Sequence, residues 1–145
     1  MNETYGLDDL LNTLVQLEEA GNRIYTQLAA SATEARNREL FERLAAQELL
    51  HRTTYIAMRD ERDFEVTPDA EYLDYIGVLI QSTFHLVSKP VDRTDALATG
   101  IQLEKDTLLF LNEVYNLIGA TYGSRIKIIM NEERKHLKLL LGLRL

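Results

Sequence analysis

Four stretches of this chain repeat apolar residues at steps of three and four, and a glutamate interrupts each stripe. Residues at that spacing share one face of an α-helix, the face that a bundle turns inward. The first stripe runs Leu7, Leu11, Leu14, Glu18, Gly21, Tyr25 and Leu28. The second carries Leu40, Phe41, Leu44, Ala45, Glu48, His51, Tyr55 and Met58. The third reads Leu97, Ile101, Glu104, Leu108, Leu111 and Tyr115, and the fourth Ile126, Ile129, Met130, Glu133, His136, Leu137 and Leu140. This pattern confines the chain to an all-α fold whose interior must accommodate carboxylates.

Local signals divide the stripes into helices. Asp8 is the expected N-cap of the first helix, before Leu10 and Leu11. A turn is expected between Ala30 and Asn37, and the charged run Arg59 to Asp63 closes the second helix. Thr67-Pro68 predicts a further helix start, with Thr67 as cap, Pro68 in the first helical position and Asp69 and Glu71 in the first turn. That segment runs to about Val87 and is closed by Lys89-Pro90. Asp92 is the expected N-cap of the next helix, and Gly119 its expected stop. The last helix begins between Thr121 and Ser124.

The two halves share a layout. Glu48 lies 30 positions after Glu18, and Glu133 lies 29 positions after Glu104. Glu48 and Glu133 are each followed three residues later by a histidine, His51 and His136. Two helical hairpins joined by a long helical crossover between helices 2 and 3 are therefore expected. They form a pseudo-two-fold four-helix bundle in which equivalent carboxylates converge.

Composition excludes several classes. At 145 residues with 46% apolar content, one domain spanning 1–145 is expected. A net charge of −7 leaves no basic stripe for nucleic acid. The absence of cysteine excludes disulfides and thiolate chemistry. Met1 to Tyr5 has no signal-peptide character, and the apolar run Tyr75 to Ile80 is too short for a bilayer. The expectation is a cytoplasmic protein with no membrane contact, and Ile76 to Val87 covering the bundle or a dimer surface.

Four glutamates and two histidines turned inward need a partner, because an unpaired buried carboxylate costs several kcal/mol or is protonated. The four stripes carry no lysine or arginine. Two divalent cations balance four carboxylates, and imidazole with carboxylate suits iron or manganese, with zinc accepted in vitro. Glu18 and Glu104 are expected as terminal ligands, each beside one histidine, with Glu48 and Glu133 bridging. Such a site leaves positions for dioxygen or peroxide between two one-electron donors. Tyr25, two turns after Glu18, could orient a carboxylate ligand or simply pack in the core. Tyr55 and Tyr115 read as core, with hydroxyls at the bundle edge. Glu19 and Glu132 read as solvated surface. His85 has Ser82 where a carboxylate would stand and reads as a packed or surface histidine.

These residues resemble a known family. Glu18-Glu19-Ala20-Gly21-Asn22-Arg23-Ile24-Tyr25 and Leu103-Glu104-Lys105-Asp106 are similar to the first and third bundle helices of rubrerythrin-type ferritin-like proteins. Glu48-x-x-His51 and Glu133-x-x-His136 are similar to their second and fourth. The resemblance implies a ferritin-like four-helix bundle with two iron ions, manganese being an alternative, oxidation of ferrous iron by oxygen or peroxide, and a homodimer. It also implies a role in iron handling or oxidative-stress defence. A peroxide reductase served by a separate electron-donor protein is the alternative within the same site, and a metal-free helical interaction module the alternative outside it. Three departures stand out. Rubrerythrins carry a cysteine-rich iron domain, which a chain without cysteine cannot form. Thr107 stands where they carry a further glutamate, and Leu111 stands where symmetry with Tyr25 would place a tyrosine. The methionine that ligates haem in bacterioferritins is also replaced, by Leu49.

Overall fold

The computed structural model describes residues 5–88 and 95–144. Four helices account for nearly all of them: α1 (Leu7–Ser31), α2 (Ala35–Glu61), α3 (Ala70–Ser88) and α4 (Ala96–Arg144). No strand occurs among the described residues. Helix α1 is capped two residues earlier than Asp8: the Gly6 amide donates to Asp9 Oδ2 at 2.7 Å, and the Gly6 carbonyl accepts from Leu10. Asp8 falls in the first turn, where Arg62 binds it at 2.9 Å. The α1–α2 turn occupies 32–34, with Ala32 and Glu34 extended.

Beyond α2 the chain has no regular secondary structure until Asp69. Arg62 secures this segment by donating to the Phe64 carbonyl at 2.8 Å as well as to Asp8. The expected cap Thr67 is not the one used. Asp69 accepts the Tyr72 amide at 2.8 Å, so α3 begins after Thr67-Pro68, where a carboxylate can satisfy a free amide. The expected stop at Lys89-Pro90 and cap at Asp92 lie outside the described residues.

Helix α4 departs from helical geometry at Ile118 (φ −130°, ψ 16°), separating arms 96–117 and 119–144. The chain reverses there, since Glu104 and Glu133 meet in one cluster. A straight helix would hold residues 29 apart roughly 40 Å from one another. Gly119 is not a left-handed stop, because no glycine among the described residues has a positive φ. Its bare Cα seats the Tyr115 ring instead: a Cβ at Gly119 or Gly123 would come within 3.3 or 3.2 Å of it. The second arm therefore begins at once, with no gap before Thr121.

The result is two hairpins, α1–α2 and the two arms of α4, bridged by α3 and assembled as a four-helix bundle. One core cluster gathers Leu10, Leu14, Met58, Phe110, Val114 and Ile126, and a second Tyr25, Phe41, Ala45, Ile101 and Leu140. The four stripe glutamates fall between them along the helices. Helix α3 is tied down by Glu113, buried on the first arm, which accepts the Tyr72 hydroxyl at 2.5 Å and that of Tyr75 at 3.2 Å. Among the described residues no helix is long and apolar enough to cross a membrane.

Candidate metal centre

Each bundle helix delivers one glutamate to the layer between the two core clusters. Glu18 comes from α1, Glu48 and His51 from α2, Glu104 from the first arm of α4, and Glu133 and His136 from the second. All six are at most 3% exposed. Helical spacing explains each pair: three residues along a helix turn roughly 300°, so Glu48 and His51 point the same way, as do Glu133 and His136.

The six sort into two overlapping groups. Glu18, Glu48, His51 and Glu133 have ligand atoms within 4.8 Å of one another, and so do Glu48, Glu104, Glu133 and His136. Glu48 and Glu133 belong to both. Both imidazoles turn Nδ1 inward. His51 Nδ1 lies 2.6 Å from Glu133 Oε1 and 3.5 Å from Glu18 Oε1. His136 Nδ1 lies 2.8 Å from Glu48 Oε1 and 3.6 Å from Glu104 Oε1. The rings face each other with centroids 6.1 Å apart.

Two phenols complete the inner shell. Tyr25 donates to Glu104 Oε1 at 2.9 Å, across from its own hairpin to the other. Tyr55 donates to Glu18 Oε1 at 2.8 Å and is fully buried. Its hydroxyl is at the centre of the site rather than at the bundle edge. The signal was its position four residues after His51, on the same helical face. Gly21 makes room for Glu48: a Cβ there would lie 2.7 Å from Glu48 Oε2.

Two further side chains, off the apolar stripes, back the imidazoles from outside. Glu132, read as solvated, turns its carboxylate to His51, with Oε2 at 2.6 Å from Nε2. Gln47 Oε1 lies 2.7 Å from His136 Nε2, and the Gln47 amide donates to Glu132. Gln47 and Glu132 each stand one residue before a shared glutamate, the equivalence that could have revealed them. Glu19 does lie at the surface, paired with Arg52 at 3.3 Å. His85 is exposed and in neither group. Buried Thr107 spends its hydroxyl on the Leu103 carbonyl of its own helix. Tyr115 is half-buried at the α4 reversal.

Without a cation the cluster holds protons. Burial, then the charges of Glu133 and its neighbours, push the Glu48 and Glu104 carboxyls well above the usual range. Burial opposes charge on the imidazoles, but hydrogen bonds to Glu133 and Glu18 outweigh it and hold His51 up at about 11. Glu104 and Glu133 likewise raise His136 to about 9 against its burial. Burial and the facing carboxylates raise the Tyr25 and Tyr55 phenols too, which keeps both as donors. Even so, Glu18 Oε2, Glu104 Oε2 and Glu133 Oε2 are buried with no hydrogen-bond partner among the described residues. A donor set of four carboxylates and two imidazoles, with oxygens left over, fits divalent cations.

No curated protein matches the sequence. A solved structure of a candidate ferritin-like diiron-carboxylate protein from Thermotoga maritima superposes with a TM-score of 0.69 at 23% identity, covering 99% of this chain and 97% of that one. The fold is thus ferritin-like. The family model described as Rubrerythrin matches residues 9–144. The chain belongs to the rubrerythrin family.

Proposed function

We propose that this is a non-haem di-iron protein that oxidises ferrous iron with oxygen or peroxide, in iron handling or oxidative-stress defence. The observation that supports the reading most is the pair of overlapping carboxylate–imidazole groups, with buried oxygens left unpartnered. Glu18 with His51 would hold one ion and Glu104 with His136 the other, while Glu48 and Glu133, common to both groups, would serve both. Manganese satisfies the same donors. Two iron ions held there would supply the electrons for reducing oxygen or peroxide.

The chain's own residues set the conditions. Tyr55 and Tyr25 each occupy one oxygen of Glu18 and Glu104, and in both glutamates the other oxygen is the unpartnered one. That fixes each carboxylate's rotation and reserves an oxygen for a cation. The protons held by Glu48, Glu104 and the two imidazoles must leave as cations bind, so uptake releases acid. Burial of all six residues limits the access of bulk water to the site.

The reading is tested by loading metal-free protein with ferrous iron and mixing it with oxygen or peroxide in a stopped-flow instrument. Rapid oxidation is expected from the natural protein. Glu48→Ala and Glu133→Ala should each abolish it with helical content intact. Oxidation that survives both substitutions would sink the proposal. Peroxide turnover that requires an added electron-donor protein would favour the reductase instead. The homodimer and cytoplasmic setting are part of the same reading, and sedimentation tests the first.

A further inference from the structure

Gln47 and Glu132 are equivalent under the chain's duplication, each one residue before a glutamate shared by both groups, yet they differ in chemistry. Each reaches across to the histidine of the other hairpin. With Nδ1 of both rings turned inward, the outward Nε2 is the donor. His51 then donates to a Glu132 carboxylate oxygen at 2.6 Å, and His136 to the Gln47 amide oxygen at 2.7 Å. The Gln47 amide nitrogen donates to the same Glu132 oxygen, which fixes the orientation of the glutamine. One imidazole is thus backed by a carboxylate and the other by a neutral amide. A carboxylate draws on the Nε2 proton more strongly and enriches the opposite nitrogen as a donor. Its negative charge also acts directly, in the same direction.

We propose that Glu132 and Gln47 are positioning residues that make the two halves of the centre unequal, so that a first divalent cation is held beside Glu18 and His51 and a second, more weakly, beside Glu104 and His136. This rests on the di-metal reading. A merely structural role, tying α2 to the second arm of α4, would instead weaken both halves alike.

Titration of metal-free protein with Co2+, followed by calorimetry and visible absorption, separates the two. The natural protein should bind two ions in resolved steps. Glu132→Gln should weaken the tighter step roughly 10- to 100-fold and merge it with the second, leaving the weaker step in place. Gln47→Glu should tighten the weaker step, and it keeps the question open to test should Glu132→Gln fail to fold. Glu132→Gln leaving both steps unchanged, or weakening them equally, would overturn the inference while the di-metal reading stands. Failure of the natural protein to bind two ions would overturn both.

Discussion

Gly21 shows how far single atoms set this site. An added methyl would stand 2.7 Å from Glu48 Oε2, on a carboxylate with little freedom because His136 already binds its other oxygen. Gly21→Ala should destabilise the metal-free fold, because displacing Glu48 outweighs the roughly 1 kcal/mol of helix propensity that alanine gains over glycine. It should also weaken metal binding about tenfold or more. Calorimetric titration beside thermal melts checks both halves, and unchanged affinity would mean that Glu48 moves freely. Tyr55→Phe removes a partner from buried Glu18 and should cost about 1 kcal/mol in metal-free urea denaturation. Much of the site was legible at this level, because a carboxylate on an apolar stripe costs too much to be incidental. Tyr55 was not, since an aromatic ring on a stripe reads first as packing. Glu132 was not either: it sits about 100° from Glu133 around the helix, off the stripe, and only its long side chain spans the groove to His51.

Among the elements, α3 depends on few anchors. Ile76 and Thr83 are buried, while Val78 and Phe84 are largely exposed. Its most buried polar tie is Glu113, whose carboxylate receives both Tyr72 and Tyr75, while Arg23 donates to the Val87 carbonyl near its end. Glu113→Ala should cost about 2 kcal/mol, two hydrogen bonds to one carboxylate being lost. Hydrogen exchange should quicken in α3 before the four bundle segments, and uniform quickening would contradict the anchoring role. The helices and their order were readable because period 3.6 persists through each. Their ends were less so. Thr67-Pro68 is a good helix start locally, yet the carboxylate of Asp69 outcompetes it for the free Tyr72 amide. Gly119 marked the α4 reversal to within one residue, but it serves by seating Tyr115 rather than by a left-handed cap.

For the whole molecule, the buried cluster couples stability to pH and to metal. Glu48, Glu104, His51 and His136 all bind protons more tightly when folded than when unfolded. Where the folded state holds more protons, stability falls as pH rises. The histidine contribution is complete below about 6.5 and is lost as pH climbs towards about 9 for His136 and about 11 for His51. The glutamates begin to lose theirs above the ordinary carboxylate range. Metal-free protein should therefore unfold at progressively lower urea from pH 5.5 to 8.5, while metal-loaded protein should be more stable at the alkaline end, its carboxylates balanced by cations. A metal-free stability that rises over that range would contradict burial of the cluster. The most direct check on the centre itself is anomalous diffraction from iron-loaded crystals across the iron and manganese edges. Two anomalous peaks are expected, one beside Glu18 and His51 and one beside Glu104 and His136, with Glu48 and Glu133 between them. Fully ordered crystals with no peak at these six residues would contradict the account.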